Sequence, residues 1–325
     1  MPHAIRIHAY GGPEQLRWDE VDVPDPGPGQ VRLRQTAIGL NYIDTYHRTG
    51  LYPVPALPAV IGMEAAAVVE AIGPDVAELK IGDRVAYASP PVGAYAEVRL
   101  MPADRLVVLP RAIGDVEAAA MMLQGMTAWY LLKRTFRVQP GDPILVHAAA
   151  GGVGLILCQW AKLLGAIVIG TVGSDEKAEL ARSHGCQHPI VYTREDFAKR
   201  TREITGGEGV AVVYDGIGKD TFTGSLDALR PMGLLVSFGN ASGPVPPFEP
   251  AILSQKGSLF LTRPTLMHYT AKRADLVTAA TDLFEVVVDG SVKIAINQTY
   301  PLAEAAQAHR DLEARKTTGS TVLLP

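Results

Sequence analysis

The apolar positions of the chain change their spacing near residue 124. From residue 1 to about 120, short apolar or alternating segments such as VRLRQTAIGL, VIGMEAAAVVEAIG and AYAEVRL are punctuated by PDPGPG, GPD and IGD. Alternation over so few residues, bounded by Pro, Gly and Asp, predicts strands and turns, and hence a mostly β domain. Beyond that point ILVHAA reads as a strand, GVGLILCQWAKLLG as a helix stopped at Gly165, and AIVIGTV as a second strand. That order is a βαβ unit.

The alternation continues with a helix over EKAELARSHG, a strand PIV, a helix over REDFAKRTREIT, and strands VAVVYD, LLVSF and SLFLT. Strands separated by helices in this way predict an α/β fold with a doubly wound parallel sheet of the Rossmann type. After about residue 262, a helix around ADLVTAATDLFEVVVDG, the segment TYPLAEAAQAHRDLEARK and a last strand TVLLP are expected to return to the first domain. The expected domains are therefore 1–123 with 262–325, and 124–261 for dinucleotide binding. At 325 residues the chain is too long for one ordinary core. With no linker between the domains, a shared cleft is the expected ligand site.

Composition narrows the class. Hydrophobic residues at 47% and charged ones at 20%, with 32 Gly and 24 Pro, describe an ordered chain rich in turns. A net charge of -4 with dispersed Lys and Arg argues against a nucleic-acid surface. Cys158 and Cys186 are too few for a disulfide framework or a four-thiolate zinc site, and they fit a reducing compartment. The start MPHAIRIHAYGG has no basic segment followed by a long apolar core, and no run approaches the roughly 18 apolar residues of a membrane span. The expectation is a cytoplasmic protein without membrane attachment.

Between the strand ILVHAA and its helix stands AAGGVG, Ala149 to Gly154. It fits the dinucleotide fingerprint with Ala in the first glycine position, and its strand-to-helix context gives the match its weight. Glycines allow a tight turn and close approach of backbone to a pyrophosphate, which the helix N-terminus attracts. Gly151, Gly152 and Val153 are the candidate phosphate contacts. About 20 residues later an NAD enzyme places an acid at the end of the second strand. Here that strand ends in Thr171, Val172 and Gly173, and the acids Asp175 and Glu176 come later, where they read as the first turn of the next helix. Gly173, Ser174, Lys177 and, after the third strand, Tyr192 are left to receive a 2'-phosphate, so NADPH is the expected cofactor. His147, inside an apolar strand, reads as a satisfied core residue.

The β-rich first domain, AAAGGVG, GLNYIDTYHRTGLYP, LQGMTAWYLL, SFGNASG, QKGSLFLTRP and ARKTTGSTVLLP together resemble the medium-chain dehydrogenase/reductases. More narrowly, they resemble the zeta-crystallin-like NADPH:quinone oxidoreductases, over essentially the whole chain. The resemblance implies that the first domain is a GroES-like, partly open barrel. It places Thr127, Phe238, Asn240, Arg263 and Arg315 along the cofactor, and Asn41, Tyr46 and Tyr52 near the nicotinamide and the substrate. It also implies a homodimer paired through SLFLT, the edge strand of the nucleotide sheet.

Zinc-dependent relatives carry Cys at the position of Asn41 and Gly-His-Glu where this chain has Gly62, Met63 and Glu64. A carboxamide and a thioether are poor ligands for zinc, so no catalytic metal is expected. A quinone accepts hydride without a Lewis acid, because its product is aromatic; alignment and a few hydrogen-bond donors suffice. Asn41 would contact the nicotinamide, and a tyrosine can stack on a flat ring and give a proton. Reduction of the double bond of an enone or alkenal needs similar geometry and stays open as an alternative. A structural or RNA-binding role, known among crystallin relatives, finds no basic tract with interleaved aromatics here.

Overall fold

Residues Met1–Pro325 are all described by a computed structural model, in which the chain forms two units. The first comprises Met1–Met126, Thr270–Val288 and Ile294–Pro325; the second comprises Thr127–Tyr269 and Asp289–Lys293. The chain thus leaves the second unit later than the expected 261. Strand Phe260–Thr262 is hydrogen-bonded into the second unit's sheet. Beyond it, the ring of Tyr269 stacks on Tyr130 at 4.4 Å and its hydroxyl lies 2.8 Å from that of Thr135.

The second unit is built on a six-stranded sheet. From one edge its strands are His188–Val191, Ile167–Val172, Pro143–Val146, Val210–Asp215, Leu229–Ser237 and Phe260–Thr262. All pairs are parallel. Parallel strands need crossovers that cover the sheet, so their sequences are continuously apolar instead of alternating. VAVVYD is buried at every position. Leu145, Ile169, Val213, Leu226 and Leu235 belong to the core on one face. The chain begins at the central strand Pro143–Val146, winds to one edge, then returns to fill the other. The reversal leaves a switch point at the carboxyl end of the first strand, where open α/β sheets bind ligands.

The first unit is organised by the long strand Gln30–Leu40. Glu64–Ile72 runs antiparallel along one edge, with Gly39 opposite Glu64. Val98–Pro102 pairs with its beginning and Ser320–Leu324 with its end, where Thr321 faces Leu40. The C-terminal strand therefore completes a sheet begun near the N-terminus, and this makes the unit discontinuous. Ile5, Leu33, Ile38, Val85, Tyr87 and Leu323 lie in its core. These registers bring the end of Gln30–Leu40, the start of Glu64–Ile72 and the start of Ser320–Leu324 to one place.

Candidate active site

At the switch point the chain passes from Val146 through His147 to Ala148, which has a positive φ of 52°. Gly151 is the N-cap of helix Gly152–Leu163. The first N–H groups of a helix have no partner within it, so Gly152 and Val153 present donors at a positive dipole end. Gly154 is required for packing: a Cβ there would lie 2.8 Å from the Cα of Ala149 and would overlap the Ala148 carbonyl oxygen. The helix approaches the turn only because that side chain is missing.

Beneath the turn, His147 is 3% exposed. Its Nδ1 lies 2.9 Å from Thr171 Oγ1 and its Nε2 3.0 Å from Ser225 Oγ. Ser225 donates to Asp215 Oδ2 at 2.9 Å, while Asp215 Oδ1 accepts the backbone N–H groups of Ile217 and Gly218. Burial holds the His147 imidazole neutral, with its pKa below the ordinary value despite the Asp215 charge. The network ties the carboxyl ends of three strands together, which makes His147 the satisfied core residue expected of it.

The stretch GSDEK, Gly173 to Lys177, lies where the second strand meets its helix. Ser174 is the N-cap of Asp175–Ser183, and its Oγ accepts the Lys177 N–H at 3.3 Å. Asp175 and Glu176 occupy the first turn, as their spacing predicts. The Ser174 hydroxyl holds the Glu176 carboxyl below its ordinary pKa. Tyr192 folds back on Gly173: a Cβ at Gly173 would lie 3.0 Å from the Tyr192 hydroxyl. Gly173, Ser174 and Tyr192 are thus brought together, with Lys177 on the adjoining turn. Arg194, which sequence reading did not single out, forms a two-armed ion pair with Asp175. Nothing in the local pattern marks Arg194; its place comes from the fold of the 192–194 loop, where Thr193 Oγ1 reaches the Gly173 carbonyl at 3.4 Å.

Phe238 and Asn240 follow strand Leu229–Ser237, and the segment closes over residues 215–218. The Phe238 N–H donates to the Asp215 carbonyl at 2.8 Å, and its ring would stand 3.1 Å from a Cβ on Gly216. Arg263 donates to the Ser237 carbonyl at 2.7 Å, at the end of the same strand. Thr127 is buried in helix Met122–Tyr130. Arg315 belongs to the first unit, just after helix Ala305–Glu313, with a positive φ of 58°.

Asn41 sits in the first unit as the N-cap of Tyr42–Thr49. Its backbone N–H donates to Asp44 Oδ2 at 2.9 Å, and the spacing of Asn41 and Asp44 is the sequence signal of such a cap. The side chain is 7% exposed. Nδ2 donates to Glu64 Oε2 at 2.6 Å, and Oδ1 accepts from Gln124 Nε2 at 3.1 Å. Glu64 Oε1 accepts the Leu123 N–H at 2.7 Å. Gln124 Oε1 lies 2.7 Å from Ser320 Oγ. Burial pushes the Glu64 carboxyl up to about 8, although its donors pull the other way. Sequence reading noted Glu64 only as a relic of a metal site, and did not find Gln124 or Ser320.

Tyr46 and Tyr52 stand edge to face with ring centres 5.2 Å apart, and the Tyr52 N–H donates to the Tyr46 carbonyl at 3.0 Å. Tyr42 lies 6.5 Å from Tyr46 and His47 lies 6.3 Å from Tyr52. Helix Tyr42–Thr49 thus carries Tyr46, with Asn41 as its N-cap, and the turn that follows it folds Tyr52 back onto Tyr46. The helix is anchored by a second buried network. Tyr95 Oη donates to Asp44 Oδ2 at 3.0 Å and lies 3.1 Å from His309 Nε2. Arg48 Nη1 donates to His309 Nδ1 at 3.0 Å, and the same guanidinium grips Glu313. Met63 is 2% exposed, and no three His, Cys, Asp or Glu side chains are grouped so as to hold a metal ion.

A parallel sheet with a glycine turn in one unit, and in the other a β unit into whose sheet the C-terminal strand is paired, define the class of the medium-chain dehydrogenase/reductases, and comparison with known proteins agrees. Residues 27–111 match the alcohol dehydrogenase GroES-like domain, and residues 152–289 match the family described as zinc-binding dehydrogenase. The chain is 54% identical to the quinone oxidoreductase of Pseudomonas aeruginosa over 325 residues, all of both chains. It is 52% identical to the 2-haloacrylate reductase of a Burkholderia species, covering 100% of this chain and 99% of that one. Escherichia coli quinone oxidoreductase, solved as a complex with NADPH, superposes with a TM-score of 0.98 at 48% identity, covering 99% of this chain and 100% of that one. The chain belongs to the quinone oxidoreductase family.

Proposed function

We propose that the protein reduces quinones at the expense of NADPH and without a metal ion. The observation that carries the cofactor reading is the end of strand Ile167–Val172, where Gly173, Ser174 and Tyr192 meet and the nearby acid Asp175 is already paired with Arg194. A ribose 2'-phosphate needs donors and cations there; a 2'-hydroxyl would need a carboxylate acceptor. Gly154 lets helix Gly152–Leu163 begin close against the turn, and the unpaired N–H groups of that helix start suit a pyrophosphate. Bound NADPH supplies a hydride from its nicotinamide ring.

The residues of this chain divide the remaining work. Gly151, Gly152 and Val153 hold the pyrophosphate; Ser174, Lys177 and Tyr192 hold the 2'-phosphate beside Gly173. Thr127, Phe238, Asn240, Arg263 and Arg315 line the rest of the cofactor. Asn41 contacts the nicotinamide, and its orientation is supported by Glu64 and Gln124. Tyr46 and Tyr52 offer aromatic faces to a flat acceptor and a hydroxyl to its developing oxyanion. A carboxamide at 41 and a thioether at 63 are weak zinc donors, which supports metal-free chemistry.

Strand Phe260–Thr262 is the sheet's edge, and Phe260 is 60% exposed. An edge of this kind suits pairing with a second copy into a homodimer. No helix is long and apolar enough to cross a membrane.

The deciding experiment presents purified protein with NADPH or NADH and a panel of soluble quinones, enones and haloacrylates, identifying each product. Hydroquinone formed with NADPH supports the reading; failure with every quinone defeats it. Similarity to a 2-haloacrylate reductase favours double-bond reduction as the second reading, which a saturated product would establish.

A further inference from the structure

The Asn41 carboxamide has two ends of nearly equal size, so packing cannot decide which way round it stands; only its hydrogen-bond partners can. The chain of partners starts from a donor that cannot change, the backbone N–H of Leu123, which donates to Glu64 Oε1 at 2.7 Å. An ionised Glu64 then offers Oε2 as an acceptor, and Asn41 must present Nδ2 to it, at 2.6 Å. Asn41 Oδ1 is left facing Gln124, which must answer with Nε2, at 3.1 Å. Gln124 Oε1 can then only accept, and Ser320 Oγ stands 2.7 Å away to donate. All four side chains are buried. Gly39 keeps the space beside the carboxylate clear, because a Cβ there would overlap Glu64 itself.

We propose that Glu64 is a positioning residue for the reaction: it fixes which end of the Asn41 amide faces each neighbour and transmits that polarity through Gln124 to Ser320. The proposal rests on reading Asn41 as the nicotinamide contact. The same chain can run in reverse with no bond lost. A proton on Oε2 would turn Glu64 into a donor to Asn41 Oδ1. Asn41 Nδ2 would then donate to Gln124 Oε1, Gln124 Nε2 to Ser320, and the Ser320 proton would go to the Ala120 carbonyl, 2.9 Å away. The second N–H and the second lone pair of Asn41, those left for a nicotinamide carboxamide, would exchange places. Both forms lie within reach, since burial and the neighbouring Asp44 charge raise Glu64 to about 8. The titratable groups around it are Asp44 and Tyr95, whose hydroxyl is itself bonded to Asp44.

Two independent readouts test this. In cofactor-free protein labelled with 15N in Asn and Gln side chains, the Asn41 and Gln124 amide signals should move together as the pH crosses about 8 in the wild type. In Glu64→Gln they should stay near their low-pH positions, since a glutamine can donate to Asn41 as a protonated acid does. In turnover at about pH 9.5, Glu64→Gln should lower kcat about tenfold while the KM for NADPH changes less than about twofold. Glu64→Asp, which loses a methylene and should melt lower, nevertheless keeps the acceptor and should retain more kcat than Glu64→Gln. A merely structural Glu64 gives the opposite order, because Gln matches its volume. Wild-type amide signals indifferent to pH, or a Glu64→Gln enzyme with wild-type kcat, would overturn the proposal. Absence of any turnover in the wild type would instead defeat the functional reading, and the amide spectra, which require no variant to fold, would still decide the polarity.

Discussion

Arg194 holds Asp175 with both arms of its guanidinium, Nη1 to Oδ2 at 2.7 Å and Nη2 to Oδ1 at 2.5 Å. The acid of GSDEK that most resembles a ribose ligand is thereby engaged from outside its own segment. Both side chains are largely exposed, so the pair adds little to stability. Its consequence concerns charge: the guanidinium offsets the negative charge of Asp175, the residue next to Ser174.

Lys177→Ala should therefore weaken NADPH about tenfold, or about 1.4 kcal/mol, and leave NADH within about twofold. Arg194→Ala should act in the same direction, because it uncovers the Asp175 carboxylate. Fluorescence titration of both cofactors reads this directly, and equal losses for the two would remove GSDEK from the 2'-phosphate.

Gly154→Ala should be destabilising by about 2 kcal/mol, in the range of overpacked cores. The added Cβ meets backbone of the turn, with the Ala149 Cα at 2.8 Å, and backbone cannot swing aside as a side chain can. A lower Tm together with weakened binding of both cofactors is the expected result, in contrast to the selective loss at Lys177.

Arg48 is 1% exposed and serves Glu313, His309 and the Gly11 carbonyl at once. Removing one partner of a buried charged network leaves the others unpaired. Arg48→Ala should cost about 3 kcal/mol in chemical denaturation, and should lower kcat as well, since Arg48 lies on the helix that carries Tyr46.

Burial, aided by the Arg48 charge, depresses His309 to about 3, and burial depresses His47 to about 4. For a histidine whose folded value is lowered, its contribution is complete above its unfolded value near 6.5. It is lost as the pH falls toward the folded value, with a slope of about 1.4 kcal/mol per pH unit for each group. Glu64 and Asp44, raised to about 8 and about 7, change stability in the opposite sense, favouring the fold as pH falls. Comparison with a variant isolates one group: relative to the wild type, His309→Gln should gain stability between pH 7.5 and pH 5. Melting curves at the two pH values supply the test.

Much of this could be read along the chain because the relevant physics is local. The strand before AAGGVG, its glycines and the helix after it are contiguous, and the acids of GSDEK announce a helix start that the structure places at Asp175. The change from alternating to continuous apolar runs separated the β unit from the parallel sheet for the same reason. The point where the chain leaves the second unit was less legible, since it depends on Tyr269 stacking on a residue far earlier in the chain.

The surroundings of Asn41 depended on tertiary structure alone. Its identity and its place before a helix are properties of the sequence; its polarity is not. Glu64, Gln124 and Ser320 come from three separate segments, joined because antiparallel register sets Gly39 against Glu64 and Thr321 against Leu40. Likewise, Lys177 and Tyr192 could be nominated from spacing, whereas Arg194 needed the loop that brings it to Asp175. Local sequence determined the elements and the fingerprint, because turns, caps and periodicity act over a few residues. Burial and hydrogen-bond direction between distant segments decided which atoms the site presents, because those exist only once the chain has folded.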